Sequence, residues 1–172
     1  LILNQDTTLT NTAQLAVYSS LDLNGHSLQT SGSADISSLT TNNGQLSVAG
    51  DAQISSALIN GGTARVGGDL TVTQNLSFDR GRLEVGGSCT LDDYYAHLSM
   101  THDEDYLLVE GDFTIQNTYS DGTLSAGTAE FRGNFSERGG STSYTYYRST
   151  GTHRTIFSGS VTQTVSFAHP DS

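Results

Sequence analysis

Lysine and tryptophan are absent from this chain of 172 residues, and it has one cysteine and one proline. A single cysteine cannot form an intrachain disulfide. Without lysine, the Lys–Asn isopeptide bonds that staple some surface proteins cannot form either. Hydrophobic residues make up only 34% of the chain, which is little for an ordinary globule with a thick core. No apolar run reaches membrane-spanning length, so we expect no membrane insertion.

Positive charge is also scarce. The chain has seven arginines against 18 acidic residues, which gives a net charge of -11. Such a surface repels phosphate groups, which argues against nucleic acids and anionic membranes as partners. We therefore expect no nucleic-acid partner.

A short cassette recurs along the chain: two alternating apolar residues, a glycine, and two further alternating apolar residues. Its clearest copies are LSVAGDAQI (46–54), ARVGGDLTV (64–72), LEVGGSCTL (83–91) and LLVEGDFTI (107–115), with weaker copies at Gly25, Gly133 and Gly159. A repeat of roughly 20 to 25 residues is typical of a solenoid, in which one repeat alone cannot bury its apolar face.

Each cassette predicts two short strands that meet at a glycine corner, and the segment between cassettes predicts a third strand. We therefore predict an all-β fold, a three-sided parallel β-helix (β-solenoid) of about seven coils, right-handed by the usual crossover rule. A single domain is expected over residues 1–172. Residues 1–19 are predicted to be a cap or a degenerate coil, and residues 137–154 an excursion loop.

Stacked coils align like residues in columns about 4.8 Å apart. The predicted inward columns are Leu23, Val48, Val66, Val85, Val109, Phe131 and Phe157 on one face, and Ile54, Val72, Leu91 and Ile115 on the next. The predicted outward neighbours are Arg65 with Glu84 and Glu110 with Arg132, and one hydroxyl column of Thr71, Thr90, Thr114, Ser136 and Thr162. Cys89 is predicted to be a buried small hydrophobe. Glu137 and Gln163 occupy positions where an inward Leu or Ile is expected.

Two groups of acidic residues are candidate calcium ligands. Asp51 and Asp69 follow corner glycines on adjacent coils, about 5 Å apart, so their repulsion calls for turn amide hydrogen bonds or a calcium ion. Asp103, Glu104 and Asp105 are dense enough for calcium, but no spacing matches a regular calcium loop, and a solvated acidic loop is the alternative. No other cofactor is expected.

Tyrosines outside the inward columns are the candidate ligand-binding residues. They are Tyr94, Tyr95, Tyr144, Tyr146 and Tyr147, with Arg148 close to the last three. Flat tyrosine rings can stack on sugars or supply contact area to a protein partner. The alternative is that these rings cover the excursion loops and shield the ends of the coils.

The cassettes at 46–54, 64–72 and 83–91 resemble the repeats of bacterial cell-surface and secreted β-solenoid proteins, such as filamentous-haemagglutinin-like adhesins and tapirin-like attachment proteins. The resemblance implies an extracellular or cell-surface location and a role in attachment or envelope structure. It also implies that such segments belong to longer chains. The expected partner is a polysaccharide or a host or cell-surface protein, and end-to-end or longer-chain assembly is a further expectation.

The expected function is a non-enzymatic adhesive or structural rod. A carbohydrate-binding module that displays surface tyrosines is the first alternative. A polysaccharide lyase or hydrolase is the less favoured one, because such β-helix enzymes need a long groove with grouped carboxylates.

Overall fold

The computed structural model describes residues 1–11, 13–116, 122–138 and 147–168. Its regular structure within these ranges is all β-strand, and they contain no helix that is long and apolar enough to cross a bilayer. The strands, in chain order, are β1 Thr7–Leu9, β2 Gln14–Asp22, β3 Ser27–Thr30, β4 Ser33–Thr40, β5 Gln45–Val48, β6 Ala52–Asn60, β7 Thr63–Val66, β8 Leu70–Val72, β9 Asn75–Asp79, β10 Arg82–Val85, β11 Cys89–Leu91, β12 His97–Ser99, β13 Tyr106–Val109, β14 Phe113–Ile115, β15 Thr128–Phe131, β16 Phe135–Glu137, β17 Arg154–Phe157 and β18 Val165–Phe167.

The strands stack in parallel and form three faces. The first face carries eight strands in the order β1-β3-β5-β7-β10-β13-β15-β17. The long strands β2, β4 and β6 bend across the other two faces: Ala52–Ile54 of β6 pairs with β8, whereas Ala57–Asn60 pairs with β9. The second face therefore continues through β8, β11, β14, β16 and β18, and the third through β9 and β12. This is the predicted β-solenoid, with about seven turns.

The central inward columns are confirmed. Val48, Val66, Val85, Val109 and Phe131 are successive partners on the first face. Ile54, Val72, Leu91 and Ile115 are successive partners on the second. All nine side chains are buried. Because strand alternation sends the residues between them outward, the same register produces the polar outer surface described below.

The two predicted ion pairs are also confirmed. Arg65 Nε lies 3.0 Å from Glu84 Oε2, and Arg132 Nη1 lies 2.7 Å from Glu110 Oε1. Each pair joins neighbouring coils, so the outward register agrees with the inward one.

The first coils have a different register from the predicted one. Gly32, and not Gly25, is the equivalent of the Gly50 corner, since the Gly50 N–H donates to Gly32 O at 3.1 Å. Thr30 therefore occupies the column below Val48 and is buried, whereas Leu23 lies on the third face, where its N–H donates to Thr40 O. Leu23 is buried as predicted, but the column assigned to it was wrong. Thr30 is polar, so apolar alternation did not mark the strand that holds the true column.

Residues 1–19 take part in the stack. β1 pairs with β3, and β2 pairs with β4 across a register shift between Val17 and Ser20. Ile2 forms a further parallel bridge with Asp22. Of the two alternatives for this segment, the pairing fits a degenerate coil.

The last coil departs from the prediction by an insertion. β16 pairs with β18 so that Phe135 faces Val165 and Ser136 faces Ser166. Ser166 therefore continues the hydroxyl column, and the placement of Thr162 was wrong. Gly159 keeps its predicted spacing, because Phe157, two residues before it, pairs with Phe131. Gln163 is not an inward core residue: its Nε2 donates to Phe131 O at 3.0 Å, and its Oε1 accepts the Gly159 N–H at 2.8 Å. Its amide thus links the backbone at Gly159 to the backbone at Phe131 in the preceding coil.

The predicted excursion at 137–154 is described only at its two ends. Residues 139–146 lie outside the described part of the chain, but Thr150 returns to the stack, where its N–H donates to Leu124 O at 2.7 Å. Tyr147 packs in the core with its ring centroid 4.9 Å from that of Phe135. The core at this end is therefore largely aromatic, with stacked or tilted contacts among Phe113, Phe131 and Phe135.

Cys89 and Glu137 are ionisable residues at inward positions of their strands. Cys89 is fully buried, as predicted, and burial raises the pKa of its thiol to about 12. Glu137 occupies the inward position predicted for it, and its Oε2 accepts the Tyr147 N–H at 3.3 Å. The hydrogen bond from this backbone amide offsets part of the cost of burying the Glu137 carboxylate.

Candidate functional site

Tyr94 and Tyr95 lie together on the surface, between β11 and β12. Their exposed fractions are 49% and 60%, and their rings meet edge to face with centroids 4.9 Å apart. The Tyr95 N–H donates to Asp93 Oδ1 at 3.2 Å, which holds the turn that displays both rings. The structure therefore places this predicted pair where a ligand could reach it.

The second group of tyrosines is not a surface cluster as far as the chain is described. Tyr144 and Tyr146 lie outside the described residues, and Arg148 is exposed. Tyr147 is only 7% exposed, and its hydroxyl lies 2.9 Å from Thr155 Oγ1. Burial raises the pKa of this phenol. The prediction that Tyr147 is displayed on the surface was wrong, because its ring completes the aromatic core.

The aspartates after the corner glycines bind backbone amides. Asp51 Oδ1 accepts the Asp69 N–H at 2.9 Å, and Asp69 Oδ1 accepts the Ser88 N–H at 2.7 Å. Asp112 Oδ1 accepts the Asn134 N–H at 2.7 Å in the same way. We call these side chains, Asp51, Asp69 and Asp112, the aspartate ladder. The hydrogen bonds expected by the turn-capping alternative are present, but each amide belongs to the next coil.

The glycine of the cassette makes room for this ladder. A Cβ atom at Gly68 would lie 2.0 Å from Asp51 Oδ1, and one at Gly87 would lie 2.2 Å from Asp69 Oδ1. Both distances are far below van der Waals contact. In a Gly-Asp pair such as Gly68-Asp69, the glycine therefore leaves room for the aspartate of the preceding coil. The aspartate binds an amide of the following coil.

The acidic segment at 103–105 is engaged with other groups. Asp105 is buried, and its carboxylate accepts N–H groups from Arg80 at 2.6 Å, Thr101 at 2.8 Å and His102 at 2.9 Å. Asp103 Oδ1 accepts the Thr152 hydroxyl at 2.7 Å, and Glu104 is exposed. In the described part of the chain, no three or more His, Cys, Asp or Glu side chains are grouped to hold a metal ion. The calcium prediction for Asp51, Asp69 and residues 103–105 thus has no grouping of ligands to support it there.

A groove that the sequence reasoning missed runs over the outer surface of the first face. We call it the arginine groove; its lining includes Thr8, Gln29, Gln45, Ser47, Thr63 and Arg65. It continues past Ser47 and Arg65 to Gly67, Gly86 and Leu108, and Glu84 and Glu110 also line this second part. The depression exists because glycine at the corners and serine in the outward column leave space beside longer side chains. Its signal in the sequence is a small residue directly after the second apolar residue of three successive cassettes, namely Ala49, Gly67 and Gly86.

Arg65 stands over this groove with 64% of its side chain exposed. Its partner Glu84 is shared, because Arg82 Nε lies 2.5 Å from the other carboxylate oxygen. Arg82 in turn stacks on the ring of Tyr106, 4.1 Å from the centroid. Within the described residues, the terminal nitrogens of Arg65 donate no hydrogen bond, so they can reach a ligand.

The second face carries a groove of similar lining and opposite charge, which we call the acidic groove. Amides and hydroxyls line it, as they line the arginine groove, but its charged residues are Asp35, Asp51 and Asp69. Two of these carboxylates belong to the aspartate ladder. The arginine groove and the acidic groove therefore lie on adjoining faces and differ mainly in charge.

Comparisons of the chain with protein-family models, with curated proteins and with solved structures found no match. The solenoid architecture therefore rests on the strand pairing itself.

Proposed function

We propose that this chain is a non-enzymatic β-solenoid segment of an extracellular or cell-surface protein, and that it acts as an adhesive or structural rod. The observation that supports the proposal best is the first face, where eight parallel strands stack in order. Their outward residues form straight columns along the rod. A long repeating surface of this kind suits contact with another extended molecule.

The contacts between coils support the structural part of the proposal. Neighbouring coils are joined by parallel backbone pairing and, at three corners, by the aspartate ladder. In a solenoid, stability is mainly a sum of such nearest-neighbour contacts, so each added ladder bond strengthens one junction.

Adhesion can be measured with the chain displayed on beads or cells and presented with polysaccharide-coated and protein-coated surfaces. We expect retention on at least one class of surface. The same incubations should release no new reducing ends and no unsaturated sugars. Cleavage of a polysaccharide would contradict the non-enzymatic proposal, and failure to adhere to any coat would contradict the adhesive one.

A carbohydrate-binding module is the second candidate, and the pair Tyr94 and Tyr95 favours it. Both rings are exposed and hold each other edge to face, so they offer rigid apolar faces at little entropic cost. Sugar rings stack on such faces through their C–H groups.

We therefore expect Tyr95→Ala to weaken retention on an insoluble glycan about three- to tenfold, the size of one aromatic contact. Tyr95→Phe should keep most of the retention, because the ring remains. Tyr18 is 81% exposed elsewhere on the chain, so Tyr18→Ala is the matched control. Equal losses for Tyr95→Ala and Tyr18→Ala, or no loss for Tyr95→Ala, would rule out this surface.

A further inference from the structure

We propose that the arginine groove binds an acidic polysaccharide, a linear polymer of uronic acid units, which lies along the rod with a carboxylate on Arg65. The proposal rests on the adhesive function above and names the ligand class for one surface of the rod.

The shape of the groove indicates a linear polymer. Its central column passes through successive strand partners, Thr8, Gln29, Ser47, Arg65, Glu84 and Leu108. Six strands at the usual spacing span about 24 Å. The column crosses the strands, so an occupant must run parallel to the rod axis. A small molecule would fill only a fraction of this length.

The lining suits a ligand rich in hydroxyl groups. Gln29 and Gln45 offer amides, and Ser47 and Thr63 offer hydroxyls, so every one of these side chains can both donate and accept hydrogen bonds. The backbone beneath them is already paired in the first-face sheet. A peptide therefore cannot bind here by adding a strand, which requires a free sheet edge.

A protein partner fits the groove poorly for a second reason. Protein interfaces depend on a few large apolar or aromatic anchors that enter pockets. The large apolar residues that line the groove are Leu28, Leu46 and Leu108, and all three are buried. What the groove presents to a ligand is therefore mostly polar.

Charge selects among polysaccharides. In the part of the groove from Thr8 to Arg65, Arg65 is the one charged lining residue, whereas Glu84 and Glu110 line the part beyond it. The ligand carboxylate therefore belongs on Arg65, at the end of the first part. Its guanidinium can turn to a ligand carboxylate without leaving Glu84 unpaired, because Arg82 also holds Glu84. Guanidinium and carboxylate groups match in a two-bond geometry. The net charge of -11 opposes a densely sulfated or phosphorylated polymer, so a chain with one carboxylate per sugar fits best.

Binding of the full 172-residue chain to polygalacturonate can be compared with binding to the same polymer as its methyl ester, by calorimetry at low salt. The ester keeps the sugar backbone and removes the charge. We expect polygalacturonate to bind about fivefold more tightly per site, the effect of one exposed ion pair. Raising the salt concentration should reduce this difference. Heparin should bind more weakly than polygalacturonate.

Two pairs of variants locate the site. Arg65→Gln should weaken polygalacturonate binding about fivefold and leave binding to the ester unchanged, whereas Arg138→Gln removes the same charge from an exposed site near the end of β16 and should change neither. Ser47→Glu should abolish polygalacturonate binding by placing a carboxylate in the groove. Gln53→Glu, which adds the same charge to the acidic groove, should not. Melting curves confirm that each variant is folded.

Equal affinity for the acid and its ester, equal losses for Arg65→Gln and Arg138→Gln, tighter binding of heparin, or no binding of polygalacturonate would each overturn the proposal. Its failure is distinguishable from failure of the adhesive function. A chain that adheres to other surfaces without these dependences remains an adhesive rod, whereas one that cleaves the polymer is an enzyme.

Discussion

The arginine groove and the acidic groove are built from the same repeat, yet their charges have different origins. Both lie over outward columns of amides and hydroxyls in the early coils. In the acidic groove, Asp51 and Asp69 are required by the backbone, since each carboxylate accepts an N–H of the next coil. Among the described residues, the partner of the Arg65 side chain is the Glu84 carboxylate and not a backbone group. The negative charge of one groove is thus partly a consequence of folding, whereas the positive charge of the other is available for binding.

This difference changes how the composition is interpreted. A net charge of -11 suggests a surface that avoids anions altogether. Part of that charge is held at coil corners as hydrogen-bond acceptors, and the first face pairs its acids with arginines, as in Glu84 with Arg82 and Glu110 with Arg132. An acidic chain can therefore keep one groove that accepts a carboxylate.

The largest expected effect is loss of the folded stack, which would remove both grooves at once. Val85 is fully buried in the central column, so Val85→Asp would bury an unpaired charge and cost about 5 kcal/mol, enough to abolish cooperative folding. Circular dichroism during thermal melting measures this. Thr90→Asp, in an outward column, should change stability by about 0.5 kcal/mol or less. Cooperative melting of Val85→Asp at the unmodified temperature would show that the two grooves do not share one stack.

The next largest effect is the loss of stability expected from substitutions at the corner between the two faces. Gly68→Ala would press a Cβ atom against the Asp51 carboxylate and should cost about 1–3 kcal/mol. Asp51→Ala removes that carboxylate, so the double variant should be less destabilised than the sum of the two single variants. Denaturant unfolding of the three variants measures the coupling. Strict additivity would mean that the glycine serves something other than the ladder.

A smaller effect separates the charge of the acidic groove from its structural role. Asp51→Asn keeps an oxygen acceptor for the Asp69 N–H, so we expect it to cost less stability than Asp51→Ala, which should lose about 1 kcal/mol.

Because the Asp51 carboxylate already accepts a backbone N–H, a calcium chelator should leave the melting temperature unchanged. A clear drop in melting temperature with chelator would restore the calcium hypothesis for Asp51 and Asp69.

The smallest effect concerns the pH dependence of the first face. Hydrogen bonds from Ser158 and Tyr106, together with Arg132, lower the pKa of Glu130. A lowered folded-state pKa stabilises the fold above the unfolded pKa of about 4.3, and this contribution is lost as the pH falls through the folded pKa. We expect Glu130→Gln to reduce the fall in melting temperature between pH 6 and pH 3. Superimposable pH profiles would show that these bonds contribute no stability.

The central coils could be predicted from the sequence because their inward positions are apolar at a nearly constant spacing. Val48, Val66 and Val85 lie 18 and 19 residues apart, and the partner ion pairs of Arg65 and Arg132 follow from the same register. The register of the first coils was not predicted correctly because Thr30 is a buried polar residue. The true corner at Gly32 therefore has a weaker apolar pattern around it than Gly25 has.

The rest depended on contacts that no local pattern encodes. Gln163 replaces a strand partner by its side-chain amide, and Tyr147 enters the core from a segment without apolar alternation. The arginine groove is a property of several coils together, since it needs small residues at Ser47 and Gly67 beside the long side chain of Arg65. Composition and motif spacing do not reveal such a depression until the register is known.

The true modular unit of this rod runs from one aspartate to the following coil's glycine, as from Asp51 to Gly68. A copy of residues 51–68 inserted after Gly68 would bring its own acceptor and its own clearance. Every new junction would then be satisfied on both sides. The rod could be lengthened by design in steps of a single turn, because each inserted turn carries both the acceptor and the clearance for the acceptor below it.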